Sequence, residues 1–264
     1  MPLPLPFMKP SRSALRPPGL SAWLVSFCLV LGGWASVAKA QTPEEINAMV
    51  FQRLSALAQS TGNPEARYHL GMLLHRGIGT TKNPAQALAE FTAAAEAGHA
   101  LAAYQAGGYH SGLYPGVVPV DLKRAEPYLR QSAEAGYDLA QRDLASLLAR
   151  RGDMEGALAW LEAASRQGMD YATAALADRY TRDGSSERTK GYALLLLLKA
   201  KTAAPTQAML DRITQMESTL AVDDIRRAAD MLGAWVTGPT PVTLQARQGM
   251  AGVMALLRDS MNPR

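Results

Sequence analysis

Ser36-Val37-Ala38-Lys39 sets a hydroxyl three residues before an amine, the spacing at which a lysine can relieve a serine of its proton for acyl transfer. The pair lies across Ala38-Lys39-Ala40, a small-x-small pattern of the kind removed during export, so it is read as chance. Gly107-Gly108-Tyr109-His110-Ser111-Gly112 gathers glycines and a serine, but without the Gly-x-Ser-x-Gly order or a preceding strand; its glycines suit close helix packing instead. His69, His75, His99 and His110 lack the four-residue helical spacing of a zinc pair. Gly77-x-Gly79 lacks a third glycine and follows a helix, which removes a dinucleotide role. The single cysteine, Cys28, sits inside an apolar segment that export would discard, leaving no thiol for disulfide, thiolate or zinc chemistry. No catalytic group, cofactor or metal is therefore expected, and the chain is read as a non-enzyme.

Charge is uninformative once it is located. Of 27 basic residues against 23 acidic, Lys9, Arg12, Arg16 and Lys39 fall in residues 1–40, which hold no acid, so the rest is balanced. Arg150-Arg151 and Arg226-Arg227 are isolated pairs without interleaved aromatics, so no nucleic-acid partner is expected. Residues 1–40 read as a signal peptide: basic residues, an apolar run from Leu20 to Val37, and cleavage between Ala40 and Gln41. Met8 offers an alternative start, and an uncleaved anchor stays open as a second reading of the same segment. The expected location is the periplasm or outside the cell, with no stable membrane insertion once the signal is cleaved.

The remaining chain must be built from helices, since its apolar content is dominated by Ala and Leu. Ala94-Ala95-Glu96-Ala97-Gly98 returns as Ser132-Ala133-Glu134-Ala135-Gly136 and, more loosely, as Ala163 to Gly168. Each copy is a run of helix formers closed by the glycine that a left-handed cap requires. The helices that follow are marked by Ala66, Ala102, Ala140 and Ala172, spaced 36, 38 and 32 residues apart, a period that signals a repeat array. Thr42-Pro43-Glu44-Glu45 opens a capping helix within residues 41–62 through a capping box. Residues 63–204 hold four helix pairs, their first members beginning at Asn63-Pro64, Ala100, near Ala140 and at Tyr171. Residues 205–264 form a C-terminal helical cap with helices expected at 206–220, 223–236 and 243–260. The fold class is all-α: an α/α superhelical solenoid of about four helix-turn-helix repeats with terminal capping helices.

Ala66-x-Tyr68-x-Leu70-Gly71, followed by Gly77-x-Gly79, Asn83, Ala87, Phe91 and Ala94 to Gly98, resembles the Sel-one-like repeat, a relative of the tetratricopeptide repeat. Repeat two (Ala102, Tyr104, Gly107, Gly112, Asp121, Ala125, Tyr128, Ala133, Gly136) resembles it well; repeats three and four are degenerate. Leu220 to Trp235 resembles the terminal helix that closes such arrays. The resemblance implies a right-handed superhelix whose concave face binds proteins or peptides, often in the bacterial envelope. Relatives credited with β-lactam chemistry are rich in cysteine, which this chain lacks outside residues 1–40.

The expected binding residues lie on the face of each first helix turned away from Leu70, Gly71 and Leu74: Tyr68, Met72 and His75; Tyr104 and Ser111; Arg142 and Ser146; Asp178 and Thr181. Tyr and Arg are the side chains that anchor interfaces. An equal reading is that Tyr68 and Tyr104 pack between adjacent first helices. The chain is thus expected to be a non-catalytic protein-interaction scaffold or regulator of the envelope, its protein or peptide partner unidentified. An envelope hydrolase of the β-lactam or peptidoglycan type and a membrane-anchored assembly factor remain as rivals.

Overall fold

The computed structural model describes residues 42–182 and 186–261. The signal segment with its cleavage point, the Ser36/Lys39 pair and most of the turn expected at Asp183 to Ser186 lie outside the described residues. Within them are thirteen α-helices and no strand. Helix α1 (Pro43–Thr61) precedes four pairs: α2 (Pro64–Arg76) with α3 (Pro84–Glu96), α4 (Ala100–Ser111) with α5 (Leu122–Glu134), α6 (Asp138–Arg150) with α7 (Met154–Arg166), and α8 (Asp170–Tyr180) with α9 (Arg188–Lys201). Then come α10 (Gln207–Thr219), α11 (Val222–Trp235), α12 (Pro241–Gln248) and α13 (Met250–Met261). Among the described residues no helix is long and apolar enough to cross a membrane.

Local chemistry sets most boundaries. Thr42 and Glu45 complete the reciprocal capping box of α1, the Glu45 amide donating to Thr42 Oγ1 at 3.2 Å and the Thr42 amide to Glu45 Oε2 at 3.0 Å. Asn63, Asn83 and Asp121 accept first-turn amides of α2, α3 and α5, satisfying donors that a helix start leaves unpaired. Gly98, Gly136 and Gly168 all carry the left-handed φ that returns each chain segment to the next first helix.

From α1 to α10 each helix packs on its sequence neighbours, so first helices α2, α4, α6 and α8 form one layer and their partners the other. One core gathers α1 to α7 around Leu54, Leu70, Phe91, Tyr109 and Leu144 and takes in Val253 and Leu257 of α13; a second gathers Leu176, Tyr180, Leu194, Ile213, Met216 and Trp235 from α8 to α11. Helix α11 lies on α9 and is pinned to the array by Trp235, whose indole N–H donates to Ser165 Oγ at 2.8 Å beneath the Arg166 guanidinium.

The last expected helix, 243–260, is corrected by the structure. It starts at Pro241, capped by Thr240, and breaks at Gly249, whose φ of 54° and ψ of −128° only glycine adopts without strain. That break redirects the chain, and α13 turns down onto α2.

Candidate functional site

The first-helix layer is divided into two unlike halves. Over repeats one and two it is covered by residues 236–261, a strap that runs back against the direction of the array. Its course is a line of polar ties. The Thr237 amide donates to Arg166 O at 2.8 Å, and Thr240 Oγ1 to Gly136 O at 2.8 Å. Thr243 Oγ1 donates to Gln167 Oε1 at 2.8 Å while accepting the Asp138 amide at 3.2 Å. That last bond repairs a local deficiency: Tyr137, the residue before α6, offers no side-chain cap, and a threonine from a distant helix supplies one. Gln167 also donates to Gly136 O and to Gln141 Oε1, so one buried amide joins two repeats and the strap.

The strap meets α2 at a carboxylate hub. Asn63 and Pro64 place Glu65 in the first turn of α2, where the helix N-terminus favours negative charge. Glu65 Oε1 lies 2.9 Å from His69 Nε2, one turn on, and Oε2 lies 2.9 Å from His99 Nε2. His99 caps α4 by accepting the Ala102 amide on Nδ1, which leaves Nε2 as the nitrogen that donates to Glu65. Gln245 of α12 adds a donor at 2.7 Å. Burial pushes the Glu65 carboxyl up, but the hydrogen bonds and charges of His69 and His99 outweigh it and hold the group at about 2. Beside this hub, Tyr68, Met72, Leu73 and Arg76 face Met250, Gly252 and Val253 across a cavity of about 90 Å³.

Over repeats three and four the layer is open. Arg142 Nη2 pairs with Asp143 Oδ1 at 2.7 Å, both side chains partly exposed, and Tyr171 of the next repeat lies within electrostatic reach of Arg142 with 49% of its surface in solvent. Asp178 is exposed and pairs with Arg182 one turn on.

The nine expected binding residues divide accordingly, and three of them, Tyr68, Tyr104 and Thr181, are buried. Tyr68 is buried, its ring stacked on His99 at 4.7 Å. Tyr104 is buried with its hydroxyl donating to Asp143 Oδ2 at 3.0 Å and its ring edge-on to Tyr137. Both therefore follow the packing alternative: adjacent first helices stand close enough to consume an aromatic ring placed between them. Thr181 is buried because Arg212 of α10 binds its hydroxyl and carbonyl. Met72 and His75 are half-buried; His75 Nδ1 lies 2.6 Å from Tyr109 Oη, and burial, then Lys82 and Arg76, lower its pKa. Ser111 and Ser146 donate to carbonyls of their own helices. Arg142 and Asp178 alone of the nine present charge on the open half.

Glu65, Gln141, Gln167, Thr243 and Gln245 are not among the residues the sequence singles out, and His99 enters there only as a zinc candidate. The available signal was Thr240-Pro241-x-Thr243, a readable helix start. Among the described residues no three acidic, histidine or cysteine side chains converge as a metal site.

A family model described as Sel1 repeat matches residues 64–99, 100–137 and 139–169, which are the helix pairs α2–α3 and α4–α5 and the pair α6–α7; it leaves α8–α9 unmatched. No curated protein matches the chain. Among solved structures, a Sel1 repeat protein from Oxalobacter formigenes is 26% identical over 48% of this chain and 96% of its own, with a TM-score of 0.43. The protective antigen c5321, present in uropathogenic Escherichia coli strains and displaying an SLR fold, is 16% identical over 77% of this chain and 60% of its own, with a TM-score of 0.28. Sel1 repeats generally mediate protein interactions. Three tandem copies account for α2 to α7, and the chain carries three Sel1 repeats.

Proposed function

We propose that this chain is a non-catalytic binding protein of the bacterial cell envelope, exported by residues 1–40, cleaved between Ala40 and Gln41, and holding a partner protein or peptide against its first-helix layer. Residues 41–62 and 205–264 act in this reading as caps on an array spanning 63–204. The observation that supports it is the open half: Tyr171, Arg142 and Asp143 offer an exposed ring, a guanidinium and a carboxylate on a surface already fixed by packed helices. Such a surface loses little conformational freedom when a partner arrives.

Crosslinking in intact envelopes, followed by identification of the captured protein, tests the reading. Capture is expected with the parent chain and is expected to fall with Tyr171→Ala and with Arg142→Ala. Capture unchanged in both variants would remove the open half from the binding site. A turnover assay with β-lactam and peptidoglycan substrates is expected to show no activity.

A further inference from the structure

The strap is held differently from every helix beneath it. Helix α2 buries seven of its residues, whereas Thr243, Val253 and Leu257 are the buried residues of α12 and α13 together. The rest of its hold is a row of side-chain hydrogen bonds to Glu65, Gly136 and Gln167, an Arg247–Asp138 ion pair and partly buried contacts by Val242, Ala246, Met250, Met254 and Leu256, with a cleft where α13 crosses α2. Contacts with so large a polar share characterise surfaces that associate and part. Helices of eight and twelve residues are also too short to persist alone in water, so α12 and α13 owe their form to the surface they lie on.

Beneath the strap the array is complete. Lifting it exposes the apolar side of α2 at Met72 and Leu73, an acceptor on Glu65 and an unpaired amide at Asp138. These needs define a ligand: a helix entered through a capped Thr-Pro, with aliphatic residues on one side and an amide donor near its start. The strap meets them with Thr240-Pro241, Gln245 and the stripe Val242, Ala246, Met250, Val253 and Leu257.

We infer that residues 236–261 are a displaceable internal occupant of a helix-binding groove over repeats one and two, and that the groove's external ligand is an amphipathic helix of a partner protein with this same pattern. The inference rests on the binding role proposed above and extends it to the covered half. Binding there must compete with the strap, so apparent affinity is reduced by the fraction of time the groove is free.

The test uses a labelled peptide of residues 238–261 added to the full chain and to the full-length variant Val253→Asp/Leu257→Asp. The variant is expected to keep its helical content and cooperative melting while binding the peptide about tenfold or more tightly than the parent. A peptide carrying the same two substitutions is expected not to bind. A folded variant that ignores the peptide would overturn the inference. So would loss of the array fold in the variant, which would show that the array does not stand without the strap. Exchange of straps between differently labelled parent chains would replace the foreign helix with a second copy. None of these readings uses Tyr171 or Arg142, so failure here leaves the open-half experiment standing, and the reverse also holds.

Discussion

Repeats one and two and repeats three and four present the same layer of first helices, yet one half is roofed and the other faces solvent. The roofed half has Glu65, which draws His69, His99 and Gln245 to one carboxylate. In the open half the nearest acid, Asp143, is satisfied within the layer by Tyr104 and Arg142. Polar groups left over at the ends of first helices recruit a covering segment; polar groups paired among themselves leave the surface free.

The contrast can be broken most forcefully from below. Phe91, fully buried under the covered half, is expected to cost about 3–5 kcal/mol of global stability when changed to Ala, read by chemical denaturation. A loss that small surface changes match would mean that the repeats do not share a core. Thr243→Val separates roof from array more finely. It strands the Asp138 amide and removes one of two donors to Gln167 Oε1, and is expected to weaken closure of the strap by about 1–2 kcal/mol while α8 to α11 keep their stability, as resolved amide exchange would report.

Acid acts on the covered half through Glu65. Its folded pKa of about 2 lies below the ordinary 4.5, so the unfolded chain binds the extra proton between these values. The contribution is full above about pH 5 and is lost as pH falls toward 2. Glu65→Gln is expected to flatten that part of the stability profile measured by thermal melting at stepped pH; an unchanged profile would show that the carboxylate hub carries no folding energy. Smallest of all, Tyr171→Ala in the open half is expected to move global stability by no more than about 0.5 kcal/mol, since its ring is half in solvent.

How much of this was legible depended on the range of the forces involved. Caps at Thr42, Asn63 and Asn83 and the returning glycines act within a turn, so the helix order could be read from residue types and spacing. Spacing put Tyr68 and Tyr104 on a face, but whether that face met solvent depended on how closely the next helix approached. The strap's ties join residues up to 180 positions apart through amides and hydroxyls, groups that leave no periodic trace. Gly249 within 243–260 was visible as a residue, while the break it permits is used because α13 has a surface to turn onto.

Residue-resolved hydrogen exchange of the full chain tests the central claim, that a separate strap lies on a self-sufficient array. Amides of 241–261 are expected to exchange at least about tenfold faster than those of α2 and α4 through an opening that leaves the array folded. Equal protection across α2, α4, α12 and α13 would contradict it, because the strap and the repeats would then open only together.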